Sequence, residues 1–217
     1  MKNVPASQML SPLDRGREET RSLLIEVAED LFGRFGVDGV SMREIGRASG
    51  SRNSSIISYY FGTKELLIES IIDYRMPTIE IRRSELMRQA DADGKCSDLR
   101  TLLHAQWMPV FEQRNRHGKH SFARFLGNLS RSKWIRVRSD MSPHFPATGR
   151  IVDRLQEVMN AEDMDTSGIR LRLCAFLVMG SIELIDLLDD VPVNDEMAVS
   201  LFNDAVDMAA RSLLVDS

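Results

Sequence analysis

Apolar residues recur along this chain at intervals of three and four, the spacing that places them on one face of an α-helix. The clearest such segment follows Thr20, and its apolar face is formed by Leu24, Ala28, Leu31, Phe32 and Phe35. Gly36 is suited to end this helix in a left-handed conformation. The sequence contains neither a series of short alternating segments nor a hairpin turn between two of them. The pattern therefore predicts an all-α fold.

Two short helices are predicted after Gly36. Ser41 and Glu44 have the spacing of a capping box, in which each side chain bonds the other residue's backbone amide, so a helix begins at Ser41 and ends at Gly50. A second short helix is predicted from about Arg52 to Tyr60. Thr63 then begins a longer helix, and Pro77 is expected to close or kink it.

The remainder of the chain predicts a larger helical body. Its helices are expected near residues 78–91, 98–115, 119–131, 145–160, 166–189 and 194–215. We therefore predict a flexible N-terminal tail over residues 1–16, a head with a connecting helix over residues 17–75, and a six-helix body over residues 76–217.

Composition excludes several classes of protein. The chain has 217 residues, 43% of them hydrophobic, which is too many for wholesale disorder. No uncharged apolar stretch is long enough to cross a membrane, and the first residues lack the apolar core of a secretory signal. Two cysteines cannot form a disulfide framework, so we expect a cytoplasmic protein.

Charge is distributed unevenly along the chain. The whole chain carries −4, but the segment 41–64 holds four basic residues and one acidic residue, leaving −7 for the rest. A small basic region on an acidic body suits an anionic partner that is met at one face. On charge alone, an ordinary solvated surface explains the segment equally well.

The predicted arrangement of helices favours nucleic acid as that partner. Two short helices joined by a turn with Gly50, after a longer helix, have helix-turn-helix spacing. Arg and Asn side chains can each bond two base-edge atoms in the major groove, whereas Ser and Tyr hydroxyls suit phosphate oxygens. Such residues dominate the second short helix, from Arg52 to Tyr60.

Several motifs occur here in a characteristic order: residues 28–32 (AEDLF), 36–45 (GVDGVSMREI), Gly50 and 60–67 (YFGTKELL). In these motifs residues 20–70 resemble the tetracycline-repressor (TetR/AcrR) family of bacterial transcription regulators. The resemblance implies a three-helix DNA-binding head on a ligand-binding and dimerisation body. It also implies a homodimeric repressor of a near-palindromic operator, released by a small-molecule effector, with residues 63–75 as the hinge.

The resemblance also suggests individual contacts with double-stranded DNA. Ser41 and Arg43 would touch the backbone at the start of the second helix. The residues expected at bases or nearby phosphates on the third helix are Arg52, Asn53, Ser54, Ser55 and Ser58. Tyr59 or Tyr60, together with Lys64, would clamp phosphates.

The body offers candidate contacts for a largely apolar effector: Trp107, Phe111, Phe122, Phe125, Trp134, Met141, Phe176 and Met179. Any one of them can equally be ordinary core. A basic cluster from Arg131 to Arg138 could receive a carboxylate or phosphate, or lie in solvent. The uncharged run Leu173–Ile182 predicts a helix buried on more than one side, so we expect a homodimer through the helices near 166–189 and 194–215.

The sequence contains no catalytic constellation of a familiar kind, so we expect no enzyme activity, no cofactor and no metal. His117 and His120 are spaced to share a helix face, but no further ligand has metal-site spacing beside them. The alternative is a helical small-molecule-binding or catalytic protein that carries a helix-turn-helix-like head.

Overall fold

The computed structural model describes residues 12–53, 55–159, 164–188 and 194–214, and within them it is all-α. Ten helices follow one another along the described chain: α1 (Pro12–Phe35), α2 (Met42–Ala48), α3 (Ile56–Phe61), α4 (Lys64–Ala92), α5 (Leu99–Phe111), α6 (Ser121–Ser130), α7 (Ile135–Met141), α8 (Pro146–Val158), α9 (Met164–Leu187) and α10 (Asp195–Leu213). None of the described helices is both long and apolar enough to cross a membrane.

The first three helices and the start of α4 form the head. The capping box at Ser41 is present, and the short helix α2 buries Ile45 against its neighbours. In α3, Ile57 and Phe61 are the buried residues. Because these helices are short, their packing on α1 and α4 contributes most of their stability.

Helix α4 joins the head to the body without a break. Of the two alternatives expected at Pro77, that it closes the helix is wrong, since α4 continues from Lys64 to Ala92, and that it kinks the helix stays a prediction. Pro77 is exposed, whereas Met76 and Ile79 beside it are buried. Burial of both apolar neighbours outweighs the missing backbone hydrogen bond, which costs about 3 kcal/mol.

Helix α1 also packs on the body, through α6. Residue Gly33 makes this possible, because a Cβ there would lie 3.1 Å from the carbonyl oxygen of Ser121. Close by, the Asn128 side-chain amide donates to the carbonyls of Phe32 and Gly33 at 3.1 and 2.8 Å, which satisfies the end of α1.

A buried ion pair holds the same junction. Glu29 of α1 is fully buried and accepts two hydrogen bonds from Arg75 of α4, at 2.7 and 2.9 Å. The hydroxyl of Ser121, the first residue of α6, donates to the same carboxylate. Three helices therefore meet on one buried carboxylate, which fixes the head relative to the body.

Several helix boundaries, in the head and in the body, differ from those that the sequence predicted. Helix α1 begins at Pro12, so residues 12–16 of the predicted tail are helical, while residues 1–11 lie outside the described part. Helix α5 ends at Phe111 rather than near residue 115. An additional short helix, α7, occupies residues 135–141, between the predicted segments.

Candidate nucleic-acid interface and effector cavity

One face of the head consists of α2, α3 and the residues between them, and we call it the recognition face. Most of the residues predicted to contact DNA are solvent-exposed on it: Ser41, Arg43, Arg52, Asn53, Ser55, Ser58 and Tyr59. Ser54 lies outside the described residues. The buried residues of α2 and α3 point to the opposite side, toward α1 and α4.

Within the recognition face, a structured turn precedes α3. Our prediction of a helix from Arg52 is wrong, because α3 begins at Ile56. The Asn53 side-chain oxygen accepts from the backbone amide of Ser55 at 2.9 Å, and the Ser51 hydroxyl accepts from that of Asn53 at 3.1 Å. Such side-chain bonds to the backbone compete with helix formation.

This turn changes what Asn53 can do. Bidentate recognition of adenine needs both the oxygen and the amide group of an Asn side chain, and the oxygen of Asn53 is already occupied. Arg52, exposed in the same turn, retains the geometry for such a contact. Asn53 therefore has a turn-forming role in this structure, and its contact with a base stays a prediction.

Helix α3 presents aromatic hydroxyls at its exposed side. Tyr59 is 69% exposed, whereas Tyr60 is half-buried and meets the Tyr59 ring edge-on at 5.3 Å. The helix ends at Gly62, whose φ of 73° is a left-handed conformation that favours glycine. Tyr59 is therefore the better placed of the two tyrosines to meet an external phosphate.

Lys64 is half-buried and has partners within the protein. Its ammonium group donates to the carbonyl of Val40 at 2.7 Å and lies 5.4 and 5.9 Å from the ring centres of Phe32 and Trp134. Burial lowers the pKa of Lys64. The hydrogen bond and ring contacts of Lys64 are made within the protein, and its contact with a phosphate stays a prediction.

Ser41 also has an internal partner. Its hydroxyl donates to the Glu44 carboxylate at 2.7 Å, and its backbone amide donates to the same oxygen at 2.7 Å. These two bonds lower the pKa of Glu44 and keep this exposed carboxylate charged. Ser41 therefore fixes the start of α2, and the neighbouring Arg43 supplies the exposed cation there.

Sequence reasoning missed the contribution of α1 to this surface. The guanidinium of Arg17 lies 5.9 Å from the ring centre of Tyr59, and that of Arg21 lies 5.3 Å from the ring centre of Phe61. Arg17 is exposed, so it extends the basic surface beside α3. The available signal was the four-residue spacing of Arg17 and Arg21, which places both on one face of α1.

The body encloses a cavity of about 460 Å³ between α5, α6, α7, α8 and α9, a size suited to a small organic molecule. Its walls are formed by Leu103, Gln106, Trp107, Ser130, Ile135, Arg138, Ser139, Val152, Leu155, Gln156, Gly168, Leu171, Arg172, Ala175, Phe176 and Met179. Three of the eight predicted effector contacts, Trp107, Phe176 and Met179, are among them.

The other five predicted effector contacts do not line this cavity. Phe111 stacks on Phe202 at 4.7 Å. Phe122 and Phe125 are fully buried, and Phe125 stacks on Phe32 of the head at 6.1 Å. The remaining two are Trp134, which lies beside Lys64, and Met141, which is a buried core residue. For these five residues the core alternative is the better interpretation, because helix packing alone accounts for them.

The basic cluster is divided by the fold. Arg131, Lys133 and Arg136 are exposed and do not line the cavity, whereas Arg138 does. Its guanidinium donates to the Ser130 hydroxyl at 3.1 Å, and burial lowers the pKa of Arg138. The side-chain oxygen of Gln106, on another wall, is buried without a hydrogen-bond partner.

Helices α9 and α10 pack together and leave an apolar face in solvent. Its exposed residues are Ile169, Leu173, Leu184 and Leu187 of α9 and Met197, Leu201 and Met208 of α10. Their spacings are three, four or sums of these, so they form one stripe along each helix. We call this face the α9–α10 seam. It is the face that the sequence led us to expect between subunits.

Comparison with known proteins supports the head and the fold separately. Residues 24–71 match the family of bacterial regulatory proteins of the tetR type. No curated protein matches the chain.

Among solved structures, a TetR family transcriptional regulator, PfmR, from Thermus thermophilus is 16% identical, with a TM-score of 0.50 over 87% of this chain and 97% of its own. NalD, described as the secondary repressor of a multidrug efflux pump in Pseudomonas aeruginosa, is 17% identical, with a TM-score of 0.45 over 92% of this chain and 93% of its own. The likeness to PfmR shows a shared fold. The likeness to NalD supports no further conclusion. Residues 24–71, which form most of the head, therefore match the tetR family of bacterial regulatory proteins, and the rest of the chain shares its fold with PfmR.

Proposed function

We propose that this protein is a homodimeric, ligand-responsive transcriptional repressor that binds a near-palindromic operator. The observation that carries the proposal is the recognition face, where Arg43, Arg52 and Tyr59 are exposed together on a helix-turn-helix. Members of the tetR family are DNA-binding regulators, and this face has the residue types that contact phosphates and base edges.

In the proposed complex, Arg52 contacts a base edge from the turn before α3. Arg43, Tyr59 and Arg17 contact phosphates on either side, which sets the orientation of the head in the major groove. Ser55 and Ser58 lie close enough in the chain to add further contacts. The twofold axis of the dimer would place two half-sites one helical turn, about 34–36 Å, or slightly more apart.

The α9–α10 seam is the proposed dimer interface. Two helices from each subunit would form a four-helix arrangement and remove the seam's exposed leucines and methionines from water. The head with its connecting helix would be the DNA-binding unit. Residues 76–217 would be the effector-binding and dimerisation unit. An effector in the cavity lowers operator affinity only by the difference between its affinities for the free and DNA-bound shapes.

The decisive experiment is selection of bound duplexes from a random DNA library with the full chain, followed by affinity measurement. Replacing Arg52 by Ala is expected to cost about 1–3 kcal/mol on the selected site and to relax its sequence preference. Arg88→Ala is the matched control, because this exposed arginine lies 24 residues beyond Lys64 on α4, about 36 Å from the head.

Two results would contradict the proposal. One is a failure of the chain to enrich any duplex over the starting library. The other is an Arg52→Ala variant that keeps both the affinity and the preference of the unmodified protein. Either result would favour the alternative, a helical ligand-binding or catalytic protein, which the cavity alone would support.

A further inference from the structure

The cavity of the body is positively charged on its walls. Arg138 and Arg172 line it, and none of the described lining residues is acidic. The rest of the lining is apolar or carries neutral hydroxyl and amide groups. Removing a guanidinium from water is costly, and a purely apolar effector would offer it no compensating contact.

Arg138 is the informative arginine. Burial lowers the pKa of Arg138, and no carboxylate in the described chain offsets that effect. The guanidinium of Arg138 donates to a neutral hydroxyl, that of Ser130, whereas a guanidinium removed from water is ordinarily paired with an anion.

Nearby Arg83 provides an internal comparison. Arg83 is buried, whereas Arg138 is half-buried, and burial together with the charge of Arg138 lowers the pKa of Arg83 to about 10. Yet Arg83 has the carboxylate of Glu80 at 3.5 Å and donates to the Gln106 carbonyl at 2.8 Å. The fold therefore supplies an anion to Arg83 and leaves Arg138, beside it, with a hydroxyl.

A second polar side chain of the cavity lining, that of Gln106, has an oxygen without a hydrogen-bond partner. Gln106 is 6% exposed. An unmade hydrogen bond of this kind costs about 1–3 kcal/mol. Because water does not reach this oxygen, a ligand in the cavity would meet it only after the Gln106 side chain turns.

We propose that the cavity binds organic anions that have an apolar body and one carboxylate or sulfonate group, with that group received by Arg138. The apolar body lies against Trp107, Phe176 and Met179. This inference rests on the proposed function only in that the ligand would be the effector. Binding itself requires no DNA.

A matched pair of fluorescent probes tests the anion directly. 8-Anilinonaphthalene-1-sulfonate and N-phenyl-1-naphthylamine share one aromatic body and differ in the sulfonate. Titrated into the full-length protein, the sulfonate is expected to bind about 10- to 100-fold more tightly than the neutral compound, as charge-assisted hydrogen bonds allow. Decanoate is expected to displace it, and decan-1-ol is not.

The variants identify the arginine responsible. Arg138→Met is expected to weaken binding of the sulfonate about 10-fold or more and to leave the neutral probe within about 2-fold. Arg136→Met is the matched control, because Arg136 is exposed on the same helix and does not line the cavity. Arg138→Lys keeps the charge without the planar fork and is expected to lose only part of the affinity. If Arg138→Met does not fold, the affinity of Arg138→Lys for the sulfonate is the test.

Several outcomes would overturn the inference. They are equal binding of the two probes, sulfonate binding that Arg138→Met and Arg138→Lys leave unchanged, and absence of binding by both probes. Sulfonate binding that the two Arg138 variants leave unchanged would indicate that the probe adsorbs elsewhere, for example on the α9–α10 seam. A failure to bind operator DNA, by contrast, would count against the proposed function and would leave these titrations unaffected.

Discussion

At the scale of single residues, the Lys64 ammonium group connects the head to the body. It bonds the carbonyl of Val40, which precedes α2, and lies against the Trp134 ring from the segment before α7. A charge-assisted hydrogen bond in a half-buried position is worth about 1.5–3 kcal/mol. The contribution of Lys64 is therefore to stability, through contacts within the protein.

Replacing Lys64 by Met tests this assignment. We expect the free energy of unfolding to fall by about 1–3 kcal/mol, since the charged hydrogen bond is lost while the apolar stem remains. The slope of the logarithm of DNA affinity against the logarithm of salt concentration should stay unchanged. Arg52→Ala should reduce that slope by about one. A reduced slope for Lys64→Met would support the phosphate-clamp interpretation.

His104 gives stability a dependence on pH. Its ring meets Phe202 edge-on at 6.0 Å, and burial, with the charges of Arg100 and Arg82, lowers its pKa from the ordinary 6.5. Below pH 6.5 the unfolded chain therefore binds a proton that the folded chain does not. The free energy of unfolding falls as the pH decreases from about 6.5 toward the folded-state pKa.

Urea unfolding at pH 7.5 and pH 5.5 measures this effect. The unmodified protein is expected to lose more stability between the two pH values than the His104→Gln variant, which has no ionisable group at this position. An equal loss in both proteins would show that His104 makes no contribution to the pH dependence.

At the scale of helices, the packing of α1 on α6 depends on a missing side chain. At Gly33 a Cβ would approach the Ser121 carbonyl oxygen to 3.1 Å and the Arg124 Cβ to 3.2 Å. These neighbours are a backbone oxygen and a Cβ atom, and a change of side-chain rotamer moves neither of them. The two helices would have to separate to admit even one methyl group.

Paired glycine substitutions in α1 measure that constraint. Gly33→Ala is expected to lower the free energy of unfolding by about 1–2 kcal/mol, because overpacking exceeds the gain in helix propensity. Gly16→Ala is the matched control: nothing lies within 4 Å of its Cβ position, so it should stabilise the protein by up to about 1 kcal/mol. A stabilised Gly33→Ala variant would show that α1 and α6 can adjust.

At the scale of the whole molecule, an acidic body carries a basic recognition face at one end and an apolar seam on α9 and α10. Leu173 is 62% and Leu184 is 61% exposed, and large exposed apolar stripes on a protein surface ordinarily mark an interface. Two such seams related by a twofold axis would also position two recognition faces for a palindrome.

A charge placed on the seam tests the dimer. Leu173→Glu is expected to convert the protein to a monomer at micromolar concentration, because two carboxylates would be buried in the interface. Ile81→Glu is the control, since Ile81 of α4 is 65% exposed but lies off the seam. Sedimentation velocity distinguishes the two states, and an unmodified chain that sediments as a monomer would contradict the assignment.

The all-α class, the capping box at Ser41 and the family of the head were determined by the sequence alone. Each depends on local spacing: helical periodicity, a cap four residues long, or ordered motifs within residues 24–71. The exposed stripes of α9 and α10 were also predictable, because an uncharged helix must be covered on more than one side.

Tertiary structure decided which polar groups face outward and which apolar groups line the cavity. Lys64 and Arg138 have the same sequence signature as exposed basic residues. The approach of Val40 and Trp134 distinguishes Lys64, and that of Ser130, on the preceding helix, distinguishes Arg138. Likewise, Trp107 lines the cavity while Phe111, one helical turn later, stacks in the core. Periodicity identifies the face of a helix, but the neighbours on that face come from elsewhere in the chain.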